Sequence, residues 1–466
     1  MANINWLEEV EKRKEALIED VQQFLRIKSV LDEEDGHEGA PFGTGIEQAL
    51  THMLQMGSKD GFLVKNLEGY AGHLEMGQGK ELLGILCHVD VVPEGDGWTS
   101  DPYAANIRDG KIIARGAIDD KGPTMAAYYA MKIVKELGLP LTKRVRMILG
   151  TDEESNWRCV DHYFKNEEMP TMGFAPDADF PIINAEKGIC DVYLKQPASD
   201  KKEEIALIRF SSGRRLNMVP DFARAQVRTK DVHSIERFKT YIQEKGIEGH
   251  ATLEKDVISF EIKGISAHGS TPEQGRNAGI LLAAFLKEEQ LDSAGALFVT
   301  LAADYFENDT LGKKLGISYK DSITGDLTVN VGLMSYSEVE GGTLGLNIRY
   351  PVTTDAKWML QTLETNAKEN GFLVGDVSDS KPHHVDKDHV LIQRLGRVYE
   401  EQTGKPATLL SIGGGTYARS LKAGVAFGPL FPGKEELAHQ KDEYIEIDDL
   451  IKATAIYAQA IYELAK

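Results

Sequence analysis

Histidine and acidic residues follow short apolar segments at several points in the sequence, and His88 with Asp90 is the first such pair. The two residues follow the apolar segment 82–87. Residues two apart on a strand point to the same side, so both side chains can face one site at the carboxyl end of the strand, where α/β sheets bind ligands. A metal-bound histidine commonly donates its second ring proton to a carboxylate, and Asp90 would suit that role. Taken alone, the pair favours an ordinary polar strand end.

Two adjacent acids, Asp119 and Asp120, stand where a helix is predicted to begin, within RGAIDDKGP. Acids at a helix start accept hydrogen bonds from backbone amides and suit the helix dipole. Taken alone, the motif favours this capping role. A carboxylate at such a bend can also bridge two metal ions about 3.5 to 4 Å apart, so the second interpretation stays open.

A third acidic motif, GTDEES, comes directly after the apolar segment 145–149. Crowding three carboxylates at a strand end is costly through mutual repulsion, unless cations offset the charge or solvent surrounds it. A solvated acidic loop is therefore one interpretation. The other makes Glu154 a metal ligand and Glu153 the general base that takes a proton from water.

Asp177, in PDADFP, and His439, in LAHQ, complete a candidate set of metal ligands. The set gives each of two ions one histidine and one terminal carboxylate and shares a third carboxylate; its members are His88, Asp119, Glu154, Asp177 and His439. Nitrogen and oxygen donors in this mixture suit zinc, and also cobalt or manganese. The four positive charges of two divalent ions are balanced by the carboxylates of Asp119, Glu153, Glu154 and Asp177.

The segments that must position these residues alternate between helix and strand patterns near both ends of the chain. Helices are predicted at 6–25, 121–138, 391–401 and from 448, and buried strands at 82–87 and 145–149. This alternation predicts an α/β domain.

Between residues 188 and 382 the pattern changes. Half-exposed strands are predicted at 205–210, 225–227, 258–262 and 344–349, interleaved with helices at 235–245 and 277–286, with Ser234 capping the first of these helices. The sequence thus predicts a catalytic α/β domain formed by 1–187 and 383–466 and an α+β domain, 188–382, inserted into it.

Composition limits the partners that this chain can have. The formal net charge of −20 disfavours binding to nucleic acid or to anionic membranes, both of which need clustered lysine and arginine. The N-terminus lacks the pattern of a signal peptide, and no apolar stretch reaches the roughly 18 residues of a membrane-spanning helix. Three widely spaced cysteines without a CxxC pair fit a reduced, cytoplasmic setting.

Several motifs in fixed order resemble the ArgE/DapE/aminoacylase group of dinuclear zinc metallopeptidases. The resemblance rests on HVDVVPEGDGW, RGAIDDKGP, GTDEES, PDADFP and the late His439. The long insertion and the segments GRRLNMVP, SAHGSTPEQGRNA and SIGGGTYAR are similar to those of PepV-type dipeptidases. The resemblance implies an α/β zinc-peptidase catalytic domain, with a mixed central sheet flanked by helices, and an inserted α+β lid domain.

The resemblance also implies a role for each motif residue. His88 and Asp177 would hold one ion, Glu154 and His439 the other, and Asp119 would bridge them. Asp90 would orient His88, and Glu153 would be the general base. In the inserted domain, His268 would stabilise the oxyanion and Asn217 and Arg349 would bind substrate, whereas Gly415 would lie where the substrate backbone is held.

Each of these last residues also has a structural interpretation. His268 could be a turn histidine, Arg349 a surface strand residue paired with an acid, and the glycines at 413–415 a turn that needs positive φ. His383, His384 and His389 lie where the chain should return to the first domain, and they are interpreted as a solvated connector rather than a third metal site.

The function that the resemblance implies is hydrolysis of dipeptides with a free N-terminus. A water bridging the two ions would attack the peptide carbonyl, with Glu153 as general base and His268 stabilising the oxyanion. The large insertion implies that His268 comes from the same chain, so that a monomer can act on its small peptide substrate. Two alternatives remain: an N-acyl amino acid deacylase or desuccinylase that uses the same dinuclear site, and a binding protein that keeps the fold without activity.

Overall fold

The computed structural model of the protein describes residues 4–466, which divide into two compact units. Unit 1 comprises the chain up to Ala185, together with His384–Leu410 and Gly415–Lys466; unit 2 comprises Glu186–His383 and Ser411–Gly414. The sequence-based division placed Ser411–Gly414 with its flanking residues, whereas in the structure this segment belongs with unit 2. The catalytic and lid roles of the two units remain predictions.

Helices and strands are numbered along the chain. The α-helices are α1 Trp6–Glu11, α2 Lys14–Leu25, α3 Thr44–Lys59, α4 Lys121–Glu136, α5 Arg158–Asn166, α6 Ser234–Lys245, α7 Ala278–Lys287, α8 Ser293–Phe306, α9 Ala356–Glu369, α10 Val390–Thr403 and α11 Ile447–Ala465. Short 3₁₀ helices span Pro272–Gln274 and Tyr417–Ser420. No helix among residues 4–466 combines the length and apolar character needed to cross a membrane.

The strands are β1 Leu63–Leu67, β2 Ala71–Gly77, β3 Leu82–His88, β4 Asn106–Arg108, β5 Lys111–Ile113, β6 Arg144–Gly150, β7 Met172–Ala175, β8 Ala178–Asp179, β9 Ile182–Glu186, β10 Gly188–Gln196, β11 Ala206–Ser212, β12 Phe222–Arg228, β13 Gly249–Glu254, β14 Val257–Lys263, β15 Lys320–Asp321, β16 Gly325–Asp326, β17 Thr328–Ser337, β18 Gly341–Tyr350, β19 Leu373–Ser380, β20 His383–His384, β21 Leu409–Ile412, β22 Gly424–Ala426, β23 Pro429–Leu430 and β24 Tyr444–Glu446.

Unit 1 contains the mixed sheet that the resemblance implied. Its strands lie in the order β1-β2-β6-β3-β7-β22-β9, with β3 parallel to both β6 and β7, and β2 antiparallel to β6. Every residue of β3 is buried, as its uninterrupted apolar sequence predicted. Helix α4, buried from Lys121 to Met131, packs against β3 and α11. The prediction of an α/β unit with a mixed central sheet flanked by helices is confirmed.

The predicted N-terminal helix is interrupted in the structure. The chain forms α1 and α2 instead of one helix through residues 6–25, because the amide of Arg13 donates to the Val10 carbonyl, three residues back, at 2.8 Å. The Arg13 side chain is directed to the Glu9 carbonyl at 2.7 Å and to Glu136. Local ion pairs thus favour a tighter turn where apolar periodicity predicted a continuous helix.

Unit 2 contains an antiparallel sheet in the order β13-β14-β12-β11-β17-β18-β10-β19, with α6 to α9 in the same unit. Strands β12 and β14 alternate between buried and less buried residues, as predicted. The prediction was wrong for 344–349, because β18 is buried on both faces. Leu216 contacts β18 at Gly345, so the loop that carries Leu216 covers part of one face. Ser234 is the first residue of α6 rather than its cap; the N-cap position is His233, whose side chain makes no capping hydrogen bond.

Candidate metal centre and substrate-binding residues

His88 ends the buried strand β3 and is itself fully buried. Its Nδ1 lies 2.9 Å from the backbone carbonyl of Asp90 and 3.4 Å from the Asp90 carboxylate. A carbonyl only accepts, so Nδ1 carries the ring proton and Nε2 is the atom with a lone pair for a ligand. The other carboxylate oxygen of Asp90 accepts from the Glu154 amide at 3.0 Å. Asp90 therefore connects the ends of two strands.

Asp119 lies between the two candidate histidine ligands. Its Oδ1 is 3.0 Å from Nε2 of His88, and its Oδ2 is 3.0 Å from Nε2 of His439. One carboxylate thus presents a different oxygen to each histidine. This is the arrangement expected of a ligand shared by two metal ions.

Each of the two remaining carboxylates lies near a different histidine. Glu154 approaches Nε2 of His439 at 3.0 Å, and Asp177 lies 3.8 Å from Nε2 of His88. Ligand atoms of His88, Asp119 and Glu154 all lie within 4.8 Å of one another. The structure therefore brings the five predicted ligands together, with the histidines and terminal carboxylates paired as the resemblance implied.

The electrostatics of this cluster favour bound cations. Burial, reinforced by the charge of Asp119, raises the pKa of Glu154 to about 7 and that of Asp177 to about 6. Hydrogen bonds to Asp119 and Glu154 raise the pKa of His439 to about 11. Buried carboxylates are costly without compensating positive charge, and imidazole nitrogens mixed with carboxylate oxygens suit zinc, cobalt or manganese. The residues present fit a pair of divalent ions.

Glu153 lies beside Glu154 in the loop that follows β6. Burial raises its pKa well above the ordinary value; nearby His88 opposes this rise, whereas Asp177 adds to it. The loop is held by Asp152, whose carboxylate accepts from the Arg158 side chain at 2.8 Å and from the Ser155 hydroxyl at 2.6 Å. Fixed placement and a raised pKa suit a general base.

Unit 2 contains three of the other predicted site residues, beginning with His268. Its Nδ1 accepts from the Ser270 hydroxyl at 2.7 Å and from the Ser270 amide at 3.3 Å. Burial, together with the charge of Arg349, lowers the pKa of His268. The ring is therefore neutral with its proton on Nε2, a form that can donate a hydrogen bond.

Arg349 is buried in unit 2, so its interpretation as a surface residue was wrong. Its Nε donates to Asn347 and its Nη1 to the Gly413 carbonyl, each at 2.8 Å. Asn217 and Arg349 both line a cavity of about 500 Å³ in this unit. The Asn217 carbonyl also accepts from the Gly269 amide at 2.7 Å, which places Asn217 next to the His268 loop.

The glycines at 413–415 do not provide a turn with positive φ, so that interpretation was wrong. A side chain at Gly413 would begin 2.6 Å from Cβ of Ser270, and one at Gly415, in unit 1, 2.9 Å from the Arg419 guanidinium. Close approach of Ser270 therefore explains the glycine at position 413. Among the other histidines, Nδ1 of His389 accepts from the Leu391 amide at 3.2 Å and caps α10, while His383 and His384 form β20.

Comparison with known proteins shows the family of this chain. Residues 84–463 match the peptidase family M20/M25/M40. The chain belongs to this family. It is 58% identical over 466 residues to the putative dipeptidase YtjP of Bacillus subtilis, covering 99% of this chain and 100% of that protein.

Two solved structures share the fold of this M20 peptidase. The di-peptidase Dug1p of Saccharomyces cerevisiae has a TM-score of 0.57 at 13% identity, covering 99% of this chain and 98% of that one. The YXEP protein of Bacillus subtilis, a dinuclear metal-binding peptidase, has a TM-score of 0.50 at 11% identity, covering 98% and 99%. The predicted resemblance to the ArgE/DapE/aminoacylase group of metallopeptidases and the prediction that the chain is a metallopeptidase are confirmed.

Two residues that organise the centre of this M20 peptidase were not among the predicted site residues. Asp120 accepts from the His88 amide at 3.2 Å and from the Thr124 hydroxyl at 2.9 Å. Buried Lys121 donates to the Phe24 carbonyl in the last turn of α2 at 3.4 Å and to the Ile27 carbonyl just after this helix at 2.5 Å. An unbroken polar triplet, Asp119–Lys121, at the start of a buried helix was the available signal.

Proposed function

We propose that this M20 peptidase is a dipeptidase that hydrolyses dipeptides with a free N-terminus by means of two divalent metal ions. The observation that carries the proposal is the position of Asp119, with one carboxylate oxygen toward His88 and the other toward His439. The names of YtjP and Dug1p support the dipeptide as substrate, and that of YXEP supports a dinuclear centre.

Five side chains would hold the ions, most suitably zinc, with manganese or cobalt as alternatives. His88 and Asp177 would hold one ion, Glu154 and His439 the other, and Asp119 both. When bound, such ions polarise a carbonyl and lower the pKa of water. Asp90 would keep Nε2 of His88 free for its ion, because its backbone carbonyl accepts a hydrogen bond from the Nδ1–H group.

Glu153 is the proposed general base. It would take a proton from the attacking water and pass it to the departing amine. The Nε2–H group of His268 would donate a hydrogen bond to the oxyanion that forms at the scissile carbonyl. This role is supported by the hydrogen bonds at Nδ1, which leave the proton on Nε2.

Residues of the candidate cavity in unit 2 are the proposed substrate contacts. Arg349 suits a carboxylate, since a guanidinium binds that group with paired hydrogen bonds. Asn217 would contribute an amide, and Gly415 of unit 1 would bind the substrate backbone. Unit 2 as a lid would limit substrates to short peptides.

The compartment and the partners of the enzyme are proposed from its cysteines and its net charge. All three cysteines are free and buried, which fits a reducing compartment such as the cytoplasm. The net charge of −20 supports small peptides, rather than nucleic acid or membranes, as partners. We propose an active monomer.

The test combines metal analysis with substrate profiling. The purified enzyme should contain two divalent ions per chain, lose activity on chelation and regain it with zinc, manganese or cobalt. It should hydrolyse free dipeptides and leave the matching N-acylated dipeptides intact. Preferential cleavage of N-acyl substrates would instead support a deacylase, and binding without cleavage would support a silent binding protein.

A further inference from the structure

Glu443 is a fully buried carboxylate outside the predicted ligand set, and its side chain binds the loop that carries Asp119. Its Oε1 accepts from the amides of Ile118 and Asp119, at 2.8 and 3.2 Å. Its Oε2 accepts from the Gly116 amide at 3.2 Å and from the Arg115 guanidinium at 2.5 Å. Four donors of one five-residue segment therefore converge on a single carboxylate.

The same residue lies on the loop of the second histidine ligand. Glu443 follows His439 by four positions and directly precedes β24. The Glu443 carbonyl accepts from the Ala114 amide at 3.0 Å, which continues the pairing of β24 with β5. Main chain and side chain of Glu443 thus fix the His439 loop against the segment that leads to Asp119.

Arg115 extends this connection to a third loop. Its guanidinium, only 1% exposed, donates to the carbonyl of Gln440, next to His439, and to that of Glu94, in the segment after His88 and Asp90. Both of these contacts measure 3.3 Å. The Arg115–Glu443 pair therefore joins the three chain segments whose histidine and aspartate side chains meet at the candidate centre.

A contribution to folding stability alone does not explain why Arg115 and Glu443 form a buried ion pair. Burying an ion pair costs so much desolvation that apolar replacements are often as stable. By contrast, partners that orient metal ligands influence metal affinity strongly, because the ligand atoms must be held at fixed positions. Both carboxylate oxygens of Glu443 accept hydrogen bonds from the segment that carries the candidate ligand Asp119.

We propose that Glu443, paired with Arg115, is a positioning residue that holds Asp119 and His439 at the spacing needed to bind two metal ions. The inference rests on the proposed dinuclear function. It concerns binding of the ions, so it is tested without measuring turnover.

The experiment titrates zinc and cobalt into metal-free wild-type enzyme and into Glu443→Gln by calorimetry, and records the visible spectrum of the cobalt-loaded proteins. Glutamine keeps the size of the side chain but directs an amide N–H toward Arg115 or a backbone amide. We expect the variant to bind metal about 10- to 100-fold more weakly, with a changed cobalt spectrum at saturation.

Glu75→Gln is the matched control. Glu75 accepts a hydrogen bond from Nε of the buried Arg146 at 2.6 Å, in strands β2 and β6 of the same unit. The control should lose one ion pair of Arg146, whose partners Glu75, Glu167 and Glu168 are not candidate ligands, and keep wild-type metal affinity. Equal affinity of Glu443→Gln and wild type, or equal losses in both variants, would overturn the inference.

Two further outcomes of the titration are a variant that does not fold and a wild-type enzyme that binds no metal. If Glu443→Gln does not fold, the same metal titration is made on Arg115→Lys. Lysine keeps the charge but cannot bind the carbonyls of Gln440 and Glu94 together. Wild-type metal affinity in that variant would overturn the inference. A wild-type enzyme that binds no metal would overturn the proposed function and this inference with it.

Discussion

Adjacent residues in the loop after β6 have different surroundings, and the difference separates their proposed roles. Glu154 contacts His439, whereas the structure gives Glu153 no hydrogen bond to a ligand residue within the described chain. Motifs at strand ends made both residues predictable, because buried strands with polar residues at their carboxyl ends are visible in sequence. Partners such as Glu443 and Asp152 were not predictable, since sequence does not show which buried acid faces which amide.

Substituting the two glutamates should separate chemistry from metal binding. Glu153→Gln should keep both ions and lower kcat by about 10²- to 10⁴-fold, because it removes the proposed proton acceptor. Glu154→Gln should release metal more readily. Metal content by mass spectrometry and steady-state kinetics check both variants; equal metal loss in the two would contradict the division of roles.

His268 offers a second test at this scale. His268→Ala should lower kcat by roughly 100-fold or more through loss of the proposed oxyanion donor, with metal content unchanged. His268→Gln, which retains an N–H donor, should recover part of the rate. Turnover at the wild-type level in His268→Ala would remove this residue from the mechanism.

At the scale of elements, apolar pattern predicted the buried strands and helices of unit 1 well. Strands β3 and β6 coincide with their apolar runs because both faces of each strand are covered. The apolar pattern gave wrong predictions where contacts outside an element determine its length or burial. The break between α1 and α2 and the burial of β18 are the two examples. The pattern also gave no signal for the pairing of individual polar side chains, such as His73 with Tyr163.

His73 of β2 should make stability depend on pH. It is buried and contacts the Tyr163 hydroxyl at 2.9 Å, and burial lowers its pKa from 6.5 to about 4. Between these values the unfolded chain binds a proton that the folded chain does not, so the free energy of unfolding falls as the pH falls, by up to about 3 kcal/mol.

The measurement is urea unfolding of metal-free wild type and His73→Asn at pH 7 and near pH 4.5. The stability advantage of wild type should shrink on acidification. Tyr163→Phe, which keeps the histidine, should retain the wild-type pH dependence. An advantage that is constant or grows at low pH would contradict this assignment.

The segment Ser411–Gly414 provides a prediction about the His268 loop. Gly413→Ala would place Cβ 2.6 Å from Cβ of Ser270, whose hydroxyl and amide bind His268. We expect kcat/KM to fall about tenfold or more with unchanged metal content, since a small displacement of a catalytic group is costly. Gly414→Ala is the control, because its nearest contact would be 4.0 Å away; equal effects of the two substitutions would contradict the argument.

At the scale of the whole molecule, the proposed monomer makes a claim about which chain supplies His268. If each chain uses its own His268, mixing Glu153→Gln with His268→Ala should restore no activity. Restored activity in the mixture would show that a second chain supplies the histidine. Sedimentation of the active wild-type enzyme at several concentrations should show a single species of monomer mass.

The polypeptide passes from one unit to the other four times, because Ser411–Gly414 returns to unit 2 after the chain has re-entered unit 1. Within unit 2, Ile412 accepts from the Lys187 amide at 3.0 Å and Gly413 from Arg349 at 2.8 Å. Excising 186–383 as a cassette would strip these carbonyls of their donors. Grafts that exchange this region between relatives must therefore carry both pieces together to keep these hydrogen bonds.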